Sequence, residues 1–127
     1  MNRLIAWLRI NDVTTGSSGA YPELQPLDLA VPPGDAYALA VATARQMMGW
    51  RIVAEAPHDG WFGAEATTSL LRFVDDIRVW VEARTGGGSL VRVRSRSRIG
   101  CGDFGTNARR IQTFLRLVGN GVETSPR

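Results

Sequence analysis

Residues 76–98 read DIRVWVEARTGGGSLVRVRSRSR. Ile77, Val79, Val81 and Ala83 alternate with Asp76, Arg78, Trp80 and Glu82, and after three glycines Val91, Val93, Ser95 and Ser97 alternate with Arg92, Arg94, Arg96 and Arg98. A period of two marks a strand with one buried face, and a glycine-rich break between two such runs marks a hairpin. With Gly86, Gly87 and Gly88 as the turn, Glu82 is expected to face Arg92, Trp80 to face Arg94, Arg78 to face Arg96 and Asp76 to face Arg98.

Outward from this hairpin the patterning continues. Residues 62–71 predict a strand with Ala64, Ala66, Thr68 and Leu70 inward, and a turn at Pro57-His58-Asp59-Gly60 precedes it. Before that turn, Trp50, Ile52 and Ala54 alternate with Arg51, Val53 and Glu55. Further upstream, Ala36, Leu39, Ala40, Thr43, Ala44 and Met47 recur at helical spacing, with Asp35 expected as the cap and Gly49 as the stop. Leu27, Leu29 and Val31 predict a first, edge strand behind Pro26. Downstream, Phe104, Ala108, Ile111, Leu115 and Val118 predict a last helix from about Asp103 to Gly119-Asn120-Gly121. The order is therefore β-α-β-β-β-β-α. Both helices and the meander have one apolar face each, which requires an α+β two-layer sandwich: an antiparallel five-stranded sheet with both helices on one face. The first strand is expected to pair antiparallel with the fifth, giving the spatial order 1-5-4-3-2. The same element order occurs in TATA-binding-protein-like and helix-grip folds, which by itself transfers no function.

The chain has 127 residues, 44% of them apolar and 21% charged, which fits one packed domain. Residues 1–24 are expected to form an N-terminal extension and loop, 25–119 the domain, and 120–127 a frayed tail. One cysteine and one histidine exclude an intramolecular disulfide and are too few for a structural zinc site. All 15 basic residues are arginines against 12 acids, so arginine at any single position carries little information. The opening MNRLIAWLRI is too short in its apolar run for a secretory signal, so a cytoplasmic location is expected, free or peripheral to the membrane. Leu4, Ile5 and Leu8 can share a face of a short helix that docks on the domain or on a membrane surface.

Several residues invite a chemical role. Gly100-Cys101-Gly102-Asp103-Phe104-Gly105 matches a dinucleotide fingerprint, but no parallel strand follows the last helix, so the glycines are expected to serve a tight turn. Cys101 lies near a helix start and Arg98, conditions that lower a thiol pKa, yet the only histidine, His58, belongs to the opposite hairpin turn. Asp75 and Asp76 alternate faces and are expected to cap a turn. Asn107 and Arg110, with Asp12 as partner, are expected to form a structural polar network. No catalytic residue, cofactor or metal is assigned. The sharpest feature is the outward face, where Arg51, Glu55 and Glu65 join the hairpin to give six arginines against four acids, largely a solvated ion-pair surface. Its unmatched part, Arg78, Trp80, Arg94 and Arg96, is the candidate surface for an anionic protein, lipid or nucleic acid.

The runs Asn11-Asp12-Val13-Thr14-Thr15, Tyr21-Pro22-Glu23-Leu24-Gln25-Pro26-Leu27, Met48-Gly49-Trp50, Ala64-Glu65-Ala66-Thr67-Thr68, Phe73-Val74-Asp75-Asp76-Ile77-Arg78 and Arg94-Ser95-Arg96-Ser97-Arg98-Ile99-Gly100 occur together with Asp103-Phe104-Gly105-Thr106-Asn107-Ala108-Arg109-Arg110-Ile111. In these the chain resembles the bacterial family called domain of unknown function 1499 (DUF1499), over nearly its whole length from residue 11. The resemblance implies no activity, ligand or catalytic residue. The expected function is a non-enzymatic binding or scaffold domain, with a small carrier of an apolar ligand between helices and sheet as the alternative and an enzyme third.

Overall fold

The computed structural model describes residues 12–14, 26–68, 72–98 and 104–124. The elements are β1 (Asp12–Thr14), β2 (Leu27–Leu29), α1 (Pro33–Gln46), β3 (Trp50–Ala56), β4 (Trp61–Thr67), β5 (Val74–Ala83), β6 (Ser89–Ser97) and α2 (Phe104–Thr124). Among the described residues every strand pairing is antiparallel, and the sheet runs β6-β5-β4-β3 with β1 and β2 both on the outer side of β6. Leu27 pairs with Val91 and Leu29 with Ser89, as expected for the first strand. Asp12–Thr14, expected within the N-terminal extension and loop, pairs with Arg96–Arg94 and continues that edge. Three residues are too few to show a period in sequence.

Alternation dictates the core. Ile77, Val79, Val81, Val91 and Val93 are buried on one face, together with Phe62, Ala64 and Ala66 of β4. Against them lie Ala36, Ala40 and Ala44 of α1 and Ile111, Phe114, Leu115 and Val118 of α2, so both helices cover the same side. The alanines of α1 and β4 are all buried in this one cluster, and their small side chains let helix and sheet pack closely. Tyr37 meets Phe62 edge-on with centroids 5.9 Å apart, and Trp50 stacks on Phe114 at 5.2 Å.

Several expectations are corrected. The β5–β6 register is displaced by two residues: Arg78 faces Arg94, Trp80 faces Arg92 and Asp76 faces Arg96. Thr85, Gly86 and Gly87 form the loop, closed by the Arg84 N–H donating to the Gly88 carbonyl at 2.8 Å, with φ of +97° at Gly86 and Gly87. Gly88 is needed for another reason, because a Cβ there would lie 2.8 Å from the Leu29 carbonyl oxygen of the edge strand. A bulge between Ile52 and Ala54 reverses the faces of β3 beyond it. Glu55, expected outward, pairs with inward Phe62 and meets Arg45 of α1 at 3.5 Å, while Ala54, expected inward, is exposed. Ala83, expected inward, is also exposed, at the end of β5. The strand expected over 62–71 starts at Trp61 and stops at Thr67, and Thr68 Oγ1 accepts the Phe73 N–H at 2.8 Å; residues 69–71 lie outside the described residues. Asp35 is not the cap: Pro32 occupies that position, Pro33 opens the helix with its φ already set, and Asp35 sits in the first turn near the positive end of the helix dipole. Finally, α2 runs through Gly119-Asn120-Gly121 to Thr124, because Val122 packs on the core and Gly121 lies against Leu39 of α1.

Candidate functional site

The face of the sheet away from the helices carries the residues of the candidate surface. Its side chains form rows across the strands: Trp61, Trp80 and Arg92 in one, Gly63, Arg78 and Arg94 in the next, Glu65, Asp76 and Arg96 in a third. The flanks of this face are charge-paired. Arg92 meets Glu82 at 3.3 Å, and Arg98 meets Asp76 at 2.9 Å and also Glu65, which Arg51 bonds from β3. Both opposite-charge pairs expected from the sequence form, but diagonally, because the long arginine side chain spans the two-residue displacement of the register. Hydrogen bonds from Arg98 and then Arg51 hold the Glu65 carboxyl below its ordinary pKa. Asp76, and after it Glu65, raises that of the Arg98 guanidinium.

At its centre the same face also brings like charges together. Arg78 and Arg94 are like charges directly opposed on neighbouring strands, a destabilising arrangement. Arg78 turns its guanidinium onto the ring of Trp61, 4.5 Å from the centroid. Gly63 has no side chain to fill the row, and a depression of about 400 Å³ opens there, lined by Val53, Trp61, Gly63, Arg78, Arg94 and Arg96. Asp76, held by Arg98, also borders it. Of the surface expected from the sequence, Arg78, Arg94 and Arg96 come together around this depression, and Trp80 lies in the adjoining row beside Trp61. Trp61 escapes the sequence reading because it falls between the expected turn and the expected strand. Its period with outward Gly63 and Glu65 is the signal that identifies it.

On the helix side, Arg110 of α2 pairs with Asp75 at the head of β5, both side chains largely buried at 12% and 5% exposure. Asp75 therefore anchors a helix, and Asp76 anchors Arg98 on the opposite face, where turn capping was expected. The side chains of Asp12 and Asn107, expected in this network, lie outside the described residues, as do Cys101 with its flanking glycines and residues 1–10. His58 is exposed in the β3–β4 turn. A second concavity, an open groove of about 680 Å³, runs between β2 and α2 along Leu27, Leu29, Leu115, Gly119 and Val122. Among the described residues no helix is long and apolar enough to cross a membrane.

The model of the family described as "Protein of unknown function (DUF1499)" matches residues 8–118. No curated protein matches the chain. Among solved structures it is similar to XoxI from Bacillus cereus, with a TM-score of 0.60 and 8% identity over 89% of this chain and 96% of that one. It is also similar to the di-domain ARO/CYC BexL from the BE-7585A biosynthetic pathway, with a TM-score of 0.59 and 15% identity over 91% of this chain. This chain spans only 48% of that di-domain protein. A third, DR_A0006 from Deinococcus radiodurans, gives a TM-score of 0.55 at 12% identity over 91% of this chain and 99% of that one. At these identities the likeness is one of fold alone.

Proposed function

This chain belongs to the DUF1499 family, and we propose that it is a non-enzymatic binding domain that meets an anionic partner on the free face of its sheet, through Arg78, Arg94 and Arg96 with Trp61 and Trp80 beside them. The observation that carries this reading is the opposition of Arg78 and Arg94 at the rim of the Gly63 depression. Arg78 and Arg94 bring like charge together beside a concavity, which an arriving anion relieves. Arg94→Ser with Arg96→Ser tests it. Both side chains point away from Val91 and Val93, so folding survives. Binding to polyanions at low salt is expected to fall, and the log-log salt slope to shrink by about 0.7 to 0.9 for each phosphate no longer bound. Failure of the unaltered protein to bind heparin, oligonucleotides or anionic vesicles would overturn the reading.

The alternative, a carrier of an apolar ligand, draws its support from the groove between β2 and α2. Against it, the side chains between helices and sheet are closely packed, with Phe62, Ile111 and Phe114 fully buried. Ligand uptake there would be indifferent to the Arg94→Ser and Arg96→Ser pair.

A further inference from the structure

We infer that the anionic partner is a single-stranded nucleic acid, with a base on the Trp61 ring and its phosphates on the adjoining arginines; this rests on the anionic-face reading above. Trp61 and Trp80 are directly opposed on β4 and β5, and the next row along the strands holds Gly63, Arg78 and Arg94. Two aromatic side chains thus run beside two cations on a solvent-facing antiparallel sheet, with the depression at Gly63 bordered by Trp61, Arg78 and Arg94. A single strand matches both rows, because every base has a π-face to stack and every nucleotide a phosphate to pair. The guanidinium now on Trp61 occupies a place that a base can take, which would release Arg78 toward the backbone of the strand.

Other anions match one row only. A duplex keeps its bases stacked inside and offers phosphates alone. A lipid surface calls for apolar side chains to insert, and of Met48, Val53 and Leu117, the large apolar side chains exposed among the described residues, only Val53 lines the depression. An acidic protein patch pairs with the arginines and leaves the tryptophans without a stacking partner.

The test uses the whole chain at low salt with four probes: an oligothymidine of about ten nucleotides, within the range one such face covers, the duplex of equal length, a heparin fragment, and phosphatidylglycerol vesicles. The single strand is expected to bind most tightly and to quench tryptophan fluorescence. Trp61→Ala should weaken it by roughly fivefold or more, the loss of one stacked base, while heparin binding, which needs only the arginines, changes little. Trp61→Phe keeps a ring and should restore most of the affinity, and circular dichroism of both variants separates loss of stacking from loss of fold. Equal binding of oligothymidine and heparin with indifference to Trp61→Ala would overturn the nucleic-acid inference and leave the anionic face standing, as would binding to vesicles alone. No binding to any of the four would overturn both.

Discussion

Glu65 shows how one residue can connect three strands. Standing on β4, it receives Arg51 from β3 and Arg98 from the end of β6, and Arg98 in turn grips Asp76 on β5. Because Arg98 and Arg51 favour its charged form, its folded-state pKa lies below the ordinary value of 4.5. The unfolded chain therefore binds the proton more readily than the folded one. The stabilisation is present above about pH 4.5 and is lost as the pH falls through the lower, folded-state value. Glu65→Gln is expected to flatten the acid limb of stability against pH below that point, measured by denaturant unfolding at a series of pH values. An unchanged limb would mean that the carboxylate gains nothing from its arginines. At the same scale, Arg78 was legible as an outward arginine, but its partner was not, because the ring it covers belongs to a strand brought alongside by folding.

Helix α2 extends past the end that its sequence signals. Glycines ordinarily close helices, so Gly119-Asn120-Gly121 marks a stop in local terms. Here the two glycines do different things inside a continuing helix. A Cβ on Gly119 would touch only Leu27 Cδ1, at an ordinary 3.9 Å, whereas one on Gly121 would stand 2.6 Å from Leu39 Cδ1 and 3.3 Å from Leu39 Cγ. Gly119→Ala is therefore expected to stabilise by about 0.5 to 1 kcal/mol through helix propensity. Gly121→Ala should lose that gain as Leu39 is displaced, and Gly121→Val should destabilise by about 1 to 3 kcal/mol as an overpacking change. Urea unfolding of the three variants decides the order, and a stabilised Gly121→Val would refute the close helix crossing. The β5–β6 hairpin makes the same point: three successive glycines look interchangeable in sequence, yet two turn the chain and the third admits β2.

Among the described residues, the helix layer is pinned to the sheet by hydrophobic contact, by the Tyr37 hydroxyl donating to the Trp61 carbonyl at 3.1 Å, and by the buried ion pair of Asp75 with Arg110. Removing Arg110 takes this cation away from the Asp75 carboxylate, 5% exposed in the interior, so Arg110→Ala is expected to cost about 3 to 5 kcal/mol. Replacing both, with Asp75→Leu and Arg110→Met, should cost much less, since an apolar pair needs no desolvation. A thermodynamic cycle over the two sites measures the coupling, and additive losses would deny that the pair acts as a unit. The layered architecture, the strand order, the inward and outward sets of β5 and β6, and the arginine-bearing face all follow from local periodicity, because a period of two or of 3.6 records which side of an element is dry. What periodicity leaves open is how far one strand slides past its neighbour. The two-residue register displacement, the bulge that sends Glu55 to Arg45, the pairing of Arg110 with Asp75 and the depression between Trp61 and Arg78 all depend on that slide and on the fit of layers. A slide of two residues keeps every side chain on its own face while changing which neighbour it meets, so the alternation is the same before and after, and the three-residue turn at Thr85-Gly86-Gly87, with the close approach of β2 at Gly88, selects one register.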